Sequence, residues 1–446
     1  MPAKLAEVMW PALVANKILN KRLGSSNFVA DYPSYTDPLL AITNDDQLSL
    51  STKTILNDHT HTQKYKVFVS TWNIGGIAPY EGLNIEDLLE TCSKSFDIYV
   101  FGFQEIVPLK ASNVLGSEDN KISTKWNTLI REALNKRTHD QCCKDIQSDN
   151  IKKNMNNIYH GNPAQQCNKG PQDFHCIISK QMVGILISVW VRSDLSPFIR
   201  HPSVSCVGCG IMGFLGNKGS VSVRFLLHET SFCFVCSHLA SGGKEGDEKH
   251  RNSNVAEIFS RTSFPRGPLF DLPRKILDHD HVILLGDLNY RISLPEETTR
   301  LLVQKRDWDS LLQNDQLKLE LESGHILRGW HEGAIKFAPT YKYFPNSDMY
   351  YGCCYHGKNK TAKRRSPAWC DRVIWNGKGL NQIEYARSES KLSDHRPVKA
   401  LFTAEVKALK SFPSLFISER FEQIKNVFEI SPVHDFVCQK QSSFRL

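Results

Sequence analysis

The sequence predicts an α/β protein, and three observations carry that reading. From about residue 64 to 405, apolar segments rich in β-branched and aromatic residues alternate with segments of helical periodicity. No internal repeat replaces that alternation. Several strand-like segments also end abruptly in polar residues, as in HVILLGDLNYRI (281–292), where an apolar run gives way to Asp287 and Asn289. Residues two apart on an extended chain project the same way. The pair therefore caps a turn or serves a spot that needs a base and an orienting amide.

Taken in order, residues 1–60 are poorly periodic, with DYPSYTDP reading as turns, and form an N-terminal extension. KYKVFVSTWNIGG and FDIYVFGFQEI read as strands, and WNTLIREALNK as a helix. An Asn-, Lys- and Gln-rich stretch then marks an insertion at about 117–172, too polar to offset its ordering entropy and expected to be mobile. MVGILISVWVR, GSVSVRFLL and TSFCFVCSHL are strands; the segment after Arg251 and residues 295–323 carry helical periodicity. The main domain spans 61–405. In the tail, 406–446, Ile417, Phe421, Ile424 and Phe428 recur at helical spacing and predict a short helix.

Composition excludes more than it selects. Hydrophobic content of 41% and charged content of 23% are ordinary for a globular chain. The net charge of +8 favours anionic partners without choosing among phosphates, nucleic acid and acidic membranes. No apolar run approaches the roughly 18–20 residues that span a bilayer, and the N-terminus is a poor signal peptide. The expectation is a cytoplasmic protein, with peripheral membrane contact left open.

The thirteen cysteines, an odd number, argue against a disulfide framework. Two C-x-x-C pairs, Cys206/Cys209 and Cys233/Cys236, have the look of a zinc ribbon. The second pair lies in a strand, where residues three apart face opposite ways. Reduced, buried cysteines are the preferred reading.

Polar groups collect at the strand ends: Asn73 in TWNIGG, Glu105 in FGFQEI, His238 in SHL, Asp287 and Asn289 in GDLN, Asp371 in PAWCDR, Asp394 and His395 in SDHR. Singly, each is most often a turn former or a satisfied core residue. If their strands share one sheet edge, they line a cleft. Carboxylates and carboxamides without thiolates suit a hard cation, best Mg²⁺. An Asp and an Asn could hold and deprotonate water, and a His held by an Asp could serve phosphate oxygens. One-step hydrolysis of a phosphate ester fits that inventory.

These motifs, in this order, resemble the endonuclease/exonuclease/phosphatase superfamily and, more narrowly, the inositol polyphosphate 5-phosphatases, over roughly residues 64–405 apart from the insertion. WPALVANKILNKRL and HLASGGKEGDEKHRNSNVAEI look like the plant type I branch. The resemblance implies a DNase I-like four-layer α/β sandwich, with two facing, mainly antiparallel sheets flanked by helices. It implies Glu105 as metal ligand with Asn73 beside it, Asp287 as activator of the water and Asn289 as its orienter. His238 and His395 would clasp the phosphate, Asp371 would orient His395, and Asp394 would act through the metal or a water.

Substrate contacts follow the same resemblance. Tyr341 and Lys342 in TYKY, with Lys363 and Arg365 before SPAWCDR, match the grip on a 4-phosphate. Asn217 and Lys218 in GNKGS match a 1-phosphate contact, and Arg251 and Asn252 a further pair near the cleft. The implied substrate is an inositol phosphate or a phosphoinositide, with no nucleic-acid partner. Two alternatives are a nuclease of the same superfamily, which should lack TYKY and the basic run, and a silent phosphoinositide-binding scaffold, which should show damaged motifs.

Overall fold

The structure, a computed structural model, describes residues 27–31, 60–80, 82–83, 85–89, 96–116, 119–136, 173–210, 213, 215–266, 272–352 and 365–409. Contacts divide the chain into residues 1–44 with 62–407, and residues 45–61 with 408–446; the fold and site below belong to the first. Most of the expected insertion, the tail helix and Lys363 lie outside the described residues.

Two six-stranded sheets form the body. The first runs β11 (Leu380–Arg387), β12 (Val398–Leu409), β1 (Thr60–Asn73), β2 (Ile98–Gln104), β4 (Ile185–Arg192), β3 (Phe174–Met182). The second runs β5 (Ile199–Gly208), β6 (Gly219–Leu227), β7 (Thr230–His238), β8 (His281–Asp287), β10 (Asp371–Asn376), β9 (His331–Glu332). β1 with β2 and β7 with β8 pair parallel; the pairings β2/β4, β3/β4, β5/β6, β6/β7, β8/β10, β9/β10 and β11/β12 are antiparallel.

Alternation along each strand builds the layers. From β8, Ile283 and Leu285 enter the core between the sheets, beside Val67, Val69 and Val100 of the first sheet and Phe234 and Val373 of the second. Val282 and Leu284 face outward into a cluster with Val255, Ile258 and Leu317 of the helices α2 (Asp247–Arg261) and α5 (Gln316–Ser323). On the far side, Phe68, Phe101 and Phe103 meet Trp126, Ile130 and Leu134 of helix α1, residues 121–136. Each such side chain contributes roughly 1.5–3 kcal/mol on full burial. Helix, sheet, sheet, helix: this is the expected four-layer sandwich. The sheets press closest at Gly102, where an added Cβ would meet Leu285 Cδ1 at 2.7 Å and Cys236 Sγ at 2.9 Å.

The same alternation separates the second cysteine pair. Cys233 faces the outer cluster and Cys236 the inner core. Burial pushes both thiols up, Cys236 to about 12.

Two details refine the sequence reading. The periodic stretch 295–323 is three helices: α3 (Glu296–Lys305), α4 (Trp308–Leu312) and α5. Arg306 turns left-handed at φ +55°, and Asp307 and Asp315 then cap the next helices by accepting from Ser310 N and Lys318 N. The extension is also not wholly separate. Val29 bridges Ser179 of β3 through backbone bonds of 2.9 and 2.7 Å, and Asp31 pairs with Arg131, so this segment covers a sheet edge.

Candidate active site

Strand register brings the polar ends together. In the first sheet Asn73 lies opposite Gln104, the residue before Glu105; in the second, Asp287 lies opposite both His238 and Asp371. The strand termini thus form one rim, whose cleft of about 540 Å³ is lined by Asn73, Glu105, Lys218, His238, Asp287 and Asn289. Arg291, Tyr341, Lys342, Arg365, Asp394 and His395 complete its polar wall.

Asp287 is the hub. Its Oδ2 accepts from Asn73 Nδ2 at 2.9 Å and lies 3.3 Å from His238 Nε2, while Oδ1 accepts from Asn289 N at 3.1 Å. Burial works against its charge. The hydrogen bond from His238, with the charges of His395 and Lys218, outweighs that and holds the carboxyl well below the usual range. Asn289 sits in the left-handed region at φ +58°, and so does Glu105 at +53°. Asn adopts that conformation more readily than Glu.

The two histidines divide in charge. His395 donates from Nδ1 to Asp371 Oδ2 at 2.8 Å, and Asp371 also accepts from Thr340 Oγ1 at 2.7 Å. Burial disfavours the imidazolium, but Asp371, Asp287 and Asp394 overcome it and push His395 up to about 9. His238 goes down: burial and the neighbouring Lys218 ammonium, which contacts Nε2, both oppose a second charge. Burial also pulls Lys218 down to about 8, against the pull of Asp287 and Glu105. At neutral pH one histidine is therefore a cation and the other a neutral partner.

Asp371 does not line the cleft; it acts from behind His395. Its neighbour Arg372, fully buried, anchors this corner through Asp315 (2.9 Å) and Glu332 (2.5 Å). Lys342 pairs with Asp394 at 2.6 Å. Arg365 reaches the wall with its carbonyl held by Arg300 Nη2 at 3.0 Å.

Three predicted substrate contacts are elsewhere. Asn217 packs its carboxamide against Gly210, away from the cleft wall. Arg251 is fully buried and bonds Gln316 Oε1, and Asn252 accepts from Tyr290 OH at 2.7 Å. α2 turns both behind the GDLNYR segment. Conversely Arg291, unassigned from sequence, is on the wall; its place two residues after Asn289 was the available signal.

The donors fit a hard divalent cation. Glu105 Oε1 has only long contacts to Asn73 Nδ2 (3.5 Å) and His238 Nε2 (3.8 Å), and carboxylate and carboxamide oxygens suit such an ion. Asp287, Asp371 and His395 also cluster as a metal-capable group. There, however, the protonated imidazole occupies the carboxylate that a metal would need.

A profile of the family described as Endonuclease/Exonuclease/phosphatase family 2 matches residues 70–401. The chain is 62% identical over 419 residues to Type IV inositol polyphosphate 5-phosphatase 9 of Arabidopsis thaliana, covering 93% of this chain and 96% of the relative. It is 46% identical over 418 residues to Type I inositol polyphosphate 5-phosphatase 8 of the same plant, covering 89% and 86%. The expected plant branch thus has relatives of both the type IV and type I names. Among solved structures, the inositol polyphosphate 5-phosphatase domain of SPsynaptojanin, in complex with inositol (1,4)-bisphosphate and calcium ion, superposes with a TM-score of 0.64 at 26% identity. That match covers 84% of this chain and 96% of the other.

Proposed function

Because the chain belongs to the inositol polyphosphate 5-phosphatases and hydrolyses the 5-phosphate of inositol phosphates, we propose that it does so by direct water attack at the cleft built on Asp287. The observation that carries this is the opposition of Asp287 to both His238 and Asp371, with Asp371 holding His395 from behind. Membership replaces the nuclease and scaffold alternatives.

Asp287 and Asn289 hold the water, and Asp287 takes its proton. So weak a base does this late, once bond formation to phosphorus has made the water acidic; positioning comes first. The His395 cation and His238 stabilise the non-bridging oxygens as the bond from phosphorus to the ring oxygen breaks, and that oxygen leaves as a hydroxyl on taking a proton from water. Glu105, with Asn73 beside it, would hold Mg²⁺, which when bound would neutralise phosphate charge. Asp394 serves through the cation or a water. Lys218 faces a phosphate elsewhere on the ring. Substrates of this chemistry include inositol 1,4,5-trisphosphate and phosphatidylinositol 4,5-bisphosphate. The lipid would require peripheral contact with a membrane, as no helix among the described residues is long and apolar enough to cross one.

Two tests belong here. EDTA is expected to abolish phosphate release and Mg²⁺ alone to restore it, with elemental analysis of the purified protein finding no stoichiometric zinc. One zinc per chain would reverse the reading of the cysteines. Tyr341, Lys342, Arg365 and Lys363 are proposed to hold the 4-phosphate. A charge-assisted hydrogen bond contributes about 1.5–3 kcal/mol, roughly 10- to 150-fold in kcat/KM. Arg365→Ala should therefore impair substrates with both 4- and 5-phosphates far more than those lacking the 4-phosphate. Equal losses in both classes would remove the 4-phosphate assignment.

A further inference from the structure

Arg291 lines the cleft yet turns its guanidinium on the protein. Nη2 donates to Asn289 Oδ1 at 2.5 Å and Nε to the Asn289 carbonyl at 3.0 Å, while the group lies 4.6 Å over the Tyr341 ring. That occupies one of the two bidentate edges, Nε with Nη2, with which an arginine can grip an anion. The other end of the carboxamide is also held, since Asn289 Nδ2 donates to Leu239 O at 3.2 Å. With both ends fixed, the amide plane has one orientation.

Arg291 is itself held from behind. Its N–H donates to Gln316 Oε1 at 2.9 Å, and its carbonyl accepts from Gln316 N at 2.9 Å. Gln316 Oε1 accepts a second bond, 2.7 Å, from Arg251 Nη2. Arg251 Nη1 then reaches the carbonyl of Gly242, a residue of the cleft wall, at 3.3 Å. One buried amide oxygen thus ties α2 and α5 to the segment that carries Asn289.

We propose that Arg291 is a positioning residue that presets the Asn289 carboxamide for the attacking water, and that Gln316 and Arg251 set where Arg291 stands. The inference rests on the reading of Asn289 as the water-orienting amide. It gives Arg251 a part in the reaction without substrate contact. Misplacing a reacting group by about 1 Å can cost on the order of 10²-fold, so the loss should fall on turnover.

The test uses the full chain, Mg²⁺ and a soluble inositol phosphate carrying 4- and 5-phosphates, with circular dichroism as the fold control. Arg291→Lys keeps the charge but not the fork; it is expected to lower kcat about 10- to 100-fold and leave KM within about 3-fold. Asn289→Ala combined with Arg291→Lys should be no slower than Asn289→Ala alone, because the two act as one unit. Gln316→Met, away from the cleft, should lower kcat at unchanged KM, and Gln316→Glu, which keeps the acceptor, should recover most of it. Multiplicative losses in the double variant overturn the inference. So does a raised KM in Arg291→Lys with Gln316→Met silent, which would mean direct phosphate contact. A fully active Asn289→Ala enzyme would instead remove the reading beneath it, and the inference with it. Should Arg291→Lys not fold, the Gln316 pair decides alone.

Discussion

Asp287→Asn is expected to lower turnover by about 10²–10⁴-fold, the range for loss of a general base, while the protein still folds. An amide cannot accept the water's proton. It can still accept from Asn289 N through its carbonyl oxygen, so the turn after β8 keeps its internal bond. The other side suffers, because a new –NH₂ would face Asn73 Nδ2, which now donates to Oδ2 at 2.9 Å. A lowered unfolding midpoint is thus expected beside the kinetic loss, at a cost of about 1–3 kcal/mol for one mispaired buried group. Phosphate release and circular dichroism on the same preparation separate the two effects. Near-wild-type release from the variant would remove Asp287 from the position of base.

The second large effect is at Asp371, which touches no substrate. Asp371→Asn should lower turnover by up to about 10⁴-fold, as for an aspartate that orients a catalytic histidine. It should also move the pH profile. With its aspartates around it, His395 is charged up to about pH 9, so wild-type activity should fall as pH rises through about 9. Without the Asp371 charge and hydrogen bond, only Asp287 and Asp394 still oppose burial, so the imidazole loses its proton at lower pH than in wild type. The alkaline limb should therefore shift to lower pH in the variant. Stability follows the same sign. A raised folded-state pKa contributes stability that is fully present below about 6.5 and is lost as pH rises through the folded value. Melting curves from pH 6 to 10 should show that decline in wild type, and a smaller one at lower pH in Asp371→Asn. An unmoved alkaline limb would mean that another group carries it.

Much of this molecule is local in origin and was legible in the residues. The apolar run of β8 reads as a strand because Ile283 and Leu285 face one core while Val282 and Leu284 face another. The same period of two foretold that Cys233 and Cys236 part company. Asp287 and Asn289 stood out because they end a strand that has no solvent-facing side. Residues 295–323 read as helical and are, but periodicity does not register a cap, and Asp307 and Asp315 each begin a new helix.

By itself, the sequence determined six of the strands around the site, the family motifs and the chemical types available at the strand ends, all set within a few residues along the chain. Only the tertiary structure decided which of those groups share a wall and what each already holds. Asn73 meets Asp287 across 214 positions of chain, and that contact depends on the two sheets packing face to face. Arg251 and Asn252 look like ligand contacts in a motif, but the roll of α2 turns them behind the cleft. His238 and His395 are the same residue type, yet opposite neighbours, Lys218 for one and Asp371 for the other, leave one neutral and the other a cation at neutral pH. Charge state and hydrogen-bond occupancy depend on distance through space, and distance in the chain does not encode it.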